Sequence, residues 1–214
     1  MFNQLFNQKP PIHIGHVNVE HRRDSDVKNL KQLFMCDTNF AYEHGGPFVR
    51  AFLKEIPITK YPLVIDTKIH MLKRGWYPGI PGWHIDFAPG WESLVEWDKV
   101  DPEERHFAAF SSNVSCTEYI ATPVLLHTPR VYRINGILSK QVEAIYENLG
   151  IIKPSAHQIY EFGQMNLHRV TPATGSGWRL FVRASATKLR KPVNEIRTQA
   201  SQVYILAKDE HSGW

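Results

Sequence analysis

The sequence contains little cysteine and no long apolar run, and both features narrow the classes of protein it can encode. Of its 214 residues only Cys36 and Cys116 are cysteines, and they lie 80 positions apart. This spacing forms neither a metal-binding motif nor a redox motif. The first residues contain no apolar run of signal-peptide length, and no later stretch could cross a bilayer. We therefore expect a reduced, cytoplasmic protein that does not contact a membrane.

Internal repeats and low-complexity segments are also absent. Hydrophobic residues make up 43% of the chain and charged residues 21%, which is the balance of an ordinary globular protein. A chain of 214 residues is long enough to bury one full hydrophobic core. We therefore expect a single domain over residues 1–214.

The order of the predicted elements indicates a mainly β fold with flanking helices. Apolar spacing predicts a helix over residues 25–35, and Gly45-Gly46-Pro47 indicates a loop over 39–47. Strand patterns follow over 63–72, 107–121 and 124–134, and Ser139 is a candidate cap for a helix that ends near residue 149. Three short strands close the chain, over 157–162, 166–171 and 178–184. Helices first and strands afterwards favour a jelly roll of two antiparallel sheets over an alternating βαβ fold.

The stretch over residues 82–87 carries the most specific chemical signal. It contains His84-x-Asp86, and a strand places residues i and i+2 on the same face, so the two side chains project together. An imidazole and a carboxylate side by side are two thirds of the 2-His-1-carboxylate site that binds non-haem Fe(II). His168 is a candidate for the third ligand, and Arg179 follows it by eleven residues.

The ordered set His84-x-Asp86, His168 and Arg179 resembles the signature of the Fe(II)/2-oxoglutarate-dependent dioxygenases, over roughly residues 62–185. The resemblance implies that His84, Asp86 and His168 bind Fe(II) and that Arg179 holds the distal carboxylate of 2-oxoglutarate. It implies O2 as the second cosubstrate and ascorbate as the usual reductant in vitro. It also implies a double-stranded β-helix, the cupin-like jelly roll, in agreement with the element order.

Arg179 suits the cosubstrate role physically. A guanidinium offers a planar, two-pronged donor that matches a carboxylate and keeps its charge when buried. Arg183 is the alternative because it shares the face of Arg179 at i+4 along the strand, although the spacing from His168 favours Arg179. A second contact to the cosubstrate should come from another inward-facing polar group, and the sequence does not rank the candidates Lys68, His70, Ser115, Thr117 and Tyr119.

Residues 88–106 form a long insertion, and insertions of this length are often lids. Acidic residues dominate positions 92–104, whereas basic residues cluster from Arg179 to position 197. An acidic lid would repel phosphates and favour a neutral or cationic substrate. A nucleic acid would need a basic groove beside the iron, so we expect a small-molecule substrate in preference to a nucleic acid.

Two further patterns have both a structural and a functional interpretation. Trp76, Trp83, Trp91 and Trp97 surround the His-x-Asp pair, and they form either core and lid packing or an aromatic mouth for a flat or cationic substrate. His13, His16 and His21 could bind Zn²⁺ weakly, although no cysteine or carboxylate completes a closed site.

Three functions compete on the sequence alone. The first is an oxygenase that hydroxylates a small molecule, such as an amino acid or a natural-product intermediate. The second is an oxygenase that acts on a nucleobase or on a peptide or protein side chain, and the third is a non-catalytic jelly-roll module that binds metal. The intact four-residue set argues against the third. The family resemblance implies that related halogenases lack the iron-binding carboxylate, so the presence of Asp86 argues against halogenation. Hydroxylation is the first expectation among the remaining outcomes, because nothing in the sequence specifies desaturation or cyclisation.

Overall fold

The computed structural model describes residues 3–19, 24–86, 88–90, 94–132, 134–198 and 200–206, and within them the chain is mainly β with few helices. The strands are β1 (Asn3–Phe6), β2 (Ile12–His16), β3 (Gln32–Phe34), β4 (Leu63–Leu72), β5 (Arg105–Phe110), β6 (Thr117–Ile120), β7 (Val124–His127), β8 (Ile151–Ile152), β9 (Gln158–Gly163), β10 (His168–Val170), β11 (Gly177–Ala186) and β12 (Glu195–Arg197). The α-helices are α1 (Asp24–Lys28), α2 (Thr38–His44), α3 (Gly46–Glu55) and α4 (Asn135–Ile145), and the 3-10 helices are Trp97–Lys99 and Tyr146–Asn148. In the described part of the chain, no helix has the length and apolar character needed to cross a membrane.

The larger sheet has the strand order β2-β9-β5-β11-β4, and all neighbouring strands are antiparallel. Alternation along each strand divides its residues between two faces. One face is apolar and packs against the helices, because α3 presents Phe48, Val49 and Phe52 to it. The buried residues of this face are Ile65, Ile69, Phe107, Ala109, Ile159, Leu180, Val182 and Ala184. The helices therefore cover this face of the sheet, and the opposite face is left to line a cavity.

A second, smaller sheet lies opposite that free face. Its order is β10-β6-β8, and an isolated antiparallel bridge between His84 and His168 adds the His-x-Asp segment beside β10. Tyr119 of β6 packs against Phe162 of β9, with ring centroids 5.1 Å apart, so aromatic side chains join the two sheets. On the outer side of the small sheet, α4 buries Leu138 and Val142 against Trp83, Ile120 and Leu167. The His-x-Asp segment is therefore held between a strand and a helix.

In the first quarter of the chain, two of the sequence-based element predictions were wrong. The helix expected over 25–35 ends at Lys28, and β3 follows it, because Leu33 is buried in the larger core and β3 pairs with the distant β12. The loop expected over 39–47 contains α2. Asp37 caps this helix by accepting a 2.8 Å hydrogen bond from the Phe40 amide. Of the Gly45-Gly46-Pro47 stretch that indicated a loop, only Gly45 lies between α2 and α3, and Gly46-Pro47 begins α3.

Residues 88–106 follow the His-x-Asp segment, and their described part packs closely against the rest of the chain. Ala88 and Val95 are buried in the smaller core beside α4. At the end of the segment, the Glu104 carboxylate is fully buried and accepts hydrogen bonds from Gln164 (2.7 Å) and the Thr187 hydroxyl (2.8 Å). The lid assignment and the single-domain expectation both remain predictions.

Candidate metal centre

The structure brings His84, Asp86 and His168 together at one end of the space between the two sheets. One potential ligand atom from each residue lies within 4.8 Å of the other two. His84 and Asp86 come from the same extended segment, and the bridge to His168 aligns that segment with β10 through two backbone hydrogen bonds of 2.9 and 3.0 Å. This is the spacing of a three-ligand metal site, and within the described part of the chain it is the one such group of His, Cys, Asp and Glu.

Both histidines are oriented for binding through Nε2. His84 Nδ1 lies 2.9 Å from the Gly82 carbonyl, and His168 Nδ1 lies 3.0 Å from the Asn166 carbonyl. A carbonyl only accepts a hydrogen bond, so each Nδ1 carries a proton, and Nε2 is the ring nitrogen left to face a metal ion. Burial, with the nearby His168, lowers the pKa of His84 to about 4. His84 is therefore neutral at pH 7, which metal binding requires.

Arg183 holds the carboxylate of this group. Its guanidinium contacts Asp86 Oδ2 and also lies 3.4 Å from Asp66 Oδ2, so it joins two carboxylates. Burial alone would raise the pKa of Asp86, but the Arg183 charge and the neighbouring His168 hold it well below its usual range. Asp86 is thus ionised and available as an anionic ligand. His168 Nε2 lies 3.4 Å from the same Oδ2 atom.

Helix α4 fixes the other side of the His-x-Asp segment. The Trp83 amide donates to the Ser139 hydroxyl at 3.0 Å, and the Ile85 amide donates to Asn135 Oδ1 at 3.2 Å. Ser139 therefore lies inside α4 and does not cap it, contrary to the sequence-based prediction. Gly82 has φ +91°, and a Cβ there would lie 2.9 Å from the Ser139 hydroxyl, so the close approach of helix and segment requires glycine.

Arg179 is buried on the same sheet face, with 1% of its surface exposed. Its Nε donates to the Ser115 carbonyl at 2.9 Å, and the guanidinium lies 4.9 Å from the ring centroid of Phe110 and 5.4 Å from that of Phe181. Among the described residues its Nη2 has no hydrogen-bond partner. Burial lowers the pKa of Arg179 to about 10, so it keeps its charge at pH 7. A buried charged donor without a partner is costly unless a ligand satisfies it.

Four of the five candidates for a second cosubstrate contact line the same cavity, namely Lys68, His70, Thr117 and Tyr119. The Thr117 hydroxyl and both ring nitrogens of His70 have no hydrogen-bond partner among the described residues. Burial and the nearby Arg179 lower the pKa of His70 to about 2, so His70 is neutral. The fifth candidate, Ser115, instead donates to the Thr171 carbonyl at 2.6 Å.

The cavity has a volume of about 1450 Å³, and its walls contain the His84, Asp86 and His168 group together with Arg179 and Arg183. Typical small-molecule pockets measure about 300–1,000 Å³, so the space exceeds what a five-carbon cosubstrate fills. Leu206, near the end of the described chain, also lines it, because residues 77 and 204 are joined by two backbone hydrogen bonds.

The tryptophans near the His-x-Asp pair and the N-terminal histidines were the two patterns with more than one interpretation. Trp83 is buried in the smaller core, and Trp97 packs edge-on against Phe6 at 5.8 Å. Trp76 contacts Lys73, and Trp91 lies outside the described residues. Of the described tryptophans, Trp83 alone lines the cavity, and it is 1% exposed. His13 and His16 lie 4.7 Å apart by ring centroids, whereas His21 lies outside the described residues.

Sequence reasoning missed the residues that support this centre. It did not identify Asp66 as a partner of Arg183, or Ser139 and Asn135 as acceptors for the His-x-Asp segment. One signal was present. Asp66, Lys68 and His70 alternate along a strand whose other residues are apolar except Thr67, which indicates a polar inward face.

Comparisons with known proteins leave the family open. No family model matches the chain, and no curated protein matches it. Among solved structures, a novel N-substituted L-amino acid dioxygenase from Burkholderia ambifaria AMMD in complex with alpha-KG is 16% identical, with a TM-score of 0.34, over 64% of this chain and 56% of that chain. A second structure of such a dioxygenase is 15% identical, with a TM-score of 0.33, over 68% of this chain and 62% of that chain. The chain spans less than two thirds of the length of either, and a functional assignment therefore rests on the site itself.

Proposed function

We propose that the protein is a non-haem Fe(II) and 2-oxoglutarate-dependent oxygenase that hydroxylates a small molecule. The observation that carries this proposal is one juxtaposition. The His84, Asp86 and His168 group shares a cavity with the buried Arg179 guanidinium, whose Nη2 has no partner among the described residues. A group of three potential metal ligands alone would suit many proteins. A positively charged site that can bind a carboxylate, in the same cavity, suits an oxygenase whose cosubstrate is an organic diacid.

The sheet topology supports assigning the fold as a double-stranded β-helix. Two antiparallel sheets face each other, with β4-β11-β5-β9 in one and the His84 bridge, β10, β6 and β8 in the other. His84 and His168 lie in adjacent segments of the small sheet, and Arg179 lies on a central strand of the large one. The site is thus formed between the two sheets, as a cupin-like jelly roll requires.

Each side chain has a role that its surroundings support. His84 and His168 would hold Fe(II) through Nε2, and Asp86 through a carboxylate oxygen, with Arg183 keeping that carboxylate oriented and ionised. Fe(II) bound in such a site supplies O2 activation coupled to decarboxylation of 2-oxoglutarate. Arg179 would bind the distal carboxylate, and Phe110 and Phe181 exclude water from that contact.

Hydroxylation is the proposed outcome because Asp86 occupies the carboxylate position. In the overall reaction, 2-oxoglutarate is oxidised to succinate and CO2 while a substrate C–H bond becomes C–OH. One oxygen atom of O2 enters succinate and the other enters the product. A small-molecule substrate agrees with a cavity that is walled on both sides by sheets.

The experiment is turnover of 2-oxoglutarate by the purified protein with Fe(II) and ascorbate under ¹⁸O2. Succinate formation that depends on Fe(II) is expected, together with one ¹⁸O atom in the product when a substrate library is added. Asp86→Ala is the matched negative control. Absence of succinate from protein that demonstrably binds Fe(II) and 2-oxoglutarate would refute the proposal, and so would a chlorinated major product in the presence of chloride.

A further inference from the structure

The interior of the cavity carries an excess of positive charge. Lys68, Arg179, Arg183 and Arg190 line it, together with the carboxylate of Asp86. Two other acidic side chains contribute to the lining, Glu118 and Glu143, but both bind Arg169, at 2.9 and 2.7 Å. Alternation along β6 places Glu118 on the opposite face of the small sheet from Tyr119, which faces the cavity interior. These two carboxylates therefore do not neutralise the interior cations.

Among the interior cations, Lys68 is the one that forms no hydrogen bond or ion pair with the described residues, although the carboxylates of Asp86 and Asp66 act on it electrostatically. It lies on β4 opposite Phe181, one alternation step from the His70–Arg179 pair and one from the Asp66–Arg183 pair. One such step is about 6.7 Å along a strand. The side chain is exposed to the cavity, and among the described residues its ammonium has no hydrogen-bond or ion-pair partner. Burial among protein atoms, together with the nearby Arg183, lowers the pKa of Lys68.

Binding of Fe(II) and 2-oxoglutarate at the proposed centre would not neutralise the positive charge of Lys68. The two negative charges of 2-oxoglutarate balance the two positive charges of Fe(II). Arg179 offers the cosubstrate a free Nη2, and the unpartnered Thr117 hydroxyl and neutral His70 ring lie in the same cavity. Arg183 is already bound to Asp86 and Asp66. Lys68 therefore remains for the substrate.

The described residues of the acidic segment expected to act as a lid do not supply a counter-charge. In its described part, only Ala88 and Val95 line the cavity, and both are apolar. Asp101 instead lies 2.6 Å from Lys188 Nζ, and the Glu104 carboxylate is buried away from the cavity against Gln164 and Thr187. The expectation of a neutral or cationic substrate depended on an acidic wall, and the described residues do not form one.

We propose that the substrate is a small organic anion, and that Lys68 binds its carboxylate or phosphate group beside the metal centre. This inference rests on the proposed oxygenase function, because the bound anion is a substrate only if the protein is an oxygenase. A positively charged cavity with low-dielectric walls concentrates anions. Lys68 acts here as a specificity-determining residue, because a neutral analogue of the substrate could not form a charge-assisted hydrogen bond with its ammonium group.

The test is ligand-observed NMR on protein loaded with Zn(II) and 2-oxoglutarate, which cannot turn over. The probes are a panel of carboxylic acids and sugar phosphates, each paired with its primary amide or its parent sugar. We expect at least one acid or phosphate to bind, and its neutral partner to bind about 10- to 100-fold more weakly. The two halves of the panel distinguish a carboxylate from a phosphate as the recognised group.

Variants assign the effect to Lys68. Lys68→Gln should abolish the preference for the anion while leaving 2-oxoglutarate binding unchanged, and the exposed Lys54→Gln on α3 should match wild type. The inference is overturned if no anion binds better than its neutral partner, or if Lys68→Gln keeps the preference. It is also overturned if Lys68→Gln weakens 2-oxoglutarate binding, which would assign Lys68 to the cosubstrate. Anion binding without Fe(II)-dependent succinate formation would instead refute the oxygenase function alone.

Discussion

At the scale of single residues, the two arginines of β11 show how neighbouring side chains of one type acquire different roles. Arg179 and Arg183 share one face of the strand, so the sequence offered both for the cosubstrate carboxylate. Arg183 is bound to Asp86 and Asp66, whereas Arg179 stacks near two phenylalanines and keeps Nη2 without a partner among the described residues. We therefore expect Arg179 to bind the cosubstrate and Arg183 to position the metal ligand.

Substitution of each arginine should separate the two roles. Arg179→Ala should weaken 2-oxoglutarate binding by about 2–5 kcal/mol while sparing metal affinity, because it truncates one side of a buried charge-assisted pair. Arg183→Ala should weaken metal binding, because Asp86 and Asp66 lose their shared partner. Calorimetric titration of Zn(II), and then of 2-oxoglutarate, measures both. The assignment is wrong if Arg183→Ala impairs 2-oxoglutarate binding and Arg179→Ala does not.

Asp86 is the residue on which metal binding should depend most clearly. Asp86→Ala should lower metal affinity by more than the roughly 10- to 100-fold that changes around metal ligands typically cause, since Asp86 is itself a candidate ligand. His84→Ala and His168→Ala should behave alike. Anaerobic Fe(II) titration provides the measurement, and Asp98→Ala, at an exposed position, is the control. Full turnover by Asp86→Ala would contradict the site.

At the scale of elements, the His-x-Asp segment depends on α4 as much as on β10. The backbone hydrogen bonds of this segment go alternately to the two elements. Those of His84 go to His168 beside it, and the amides of Trp83 and Ile85 donate to Ser139 and Asn135 on α4. The two sets of hydrogen bonds set both the position and the rotation of the segment. The direction of the His84 and Asp86 side chains follows from them.

Removal of the α4 acceptors should loosen the centre without touching a ligand. Ser139→Ala and Asn135→Ala should each lower the free energy of unfolding by about 1–3 kcal/mol, because each leaves a partly or fully buried amide unsatisfied. Metal affinity should fall in both variants. Urea unfolding and Zn(II) titration check the two effects, with the exposed Glu147→Ala as control. Unchanged metal affinity in the double variant would show that β10 alone orients the segment.

At the scale of the whole molecule, the polar cavity between the sheets makes stability depend on pH. His70 and His106 are buried, and burial with nearby positive charge lowers their pKa values to about 2 and about 3. In the unfolded chain each has a pKa of about 6.5. Below that pH the unfolded state binds protons that the folded state excludes, so the folded state loses stability as pH falls.

The expected loss approaches about 1.4 kcal/mol per pH unit for each of the two histidines. Urea unfolding of metal-free protein between about pH 7 and about pH 5 measures the slope over the range where these two histidines titrate only in the unfolded state. His70→Gln should reduce the slope by one histidine's share, whereas His127→Gln, at an exposed position, should leave it unchanged. A flat stability profile over this range would contradict the neutral, buried state of these histidines.

The sequence predicted the elements well where the pattern is local, and poorly where a distant partner decides. The strand predicted over 63–72 is β4, because ten residues of alternating and β-branched character suit no other element. Leu33 fits the helical spacing of residues 25–35 equally well, yet it lies in β3, paired with Ile196 of β12. Local periodicity could not reveal a partner more than 160 positions away.

The sequence by itself determined which residues could form the centre, because His-x-Asp, a later histidine and a following arginine combine rare side chains in a specific order. Only the tertiary structure decided how they are supported and charged. The partner of Arg183, the acceptors on α4 and the position of Lys68 on the cavity wall all depend on residues brought close by sheet pairing and helix docking. Hydrogen bonds and electrostatic interactions act over a few ångströms in space, and separation along the chain does not reveal them.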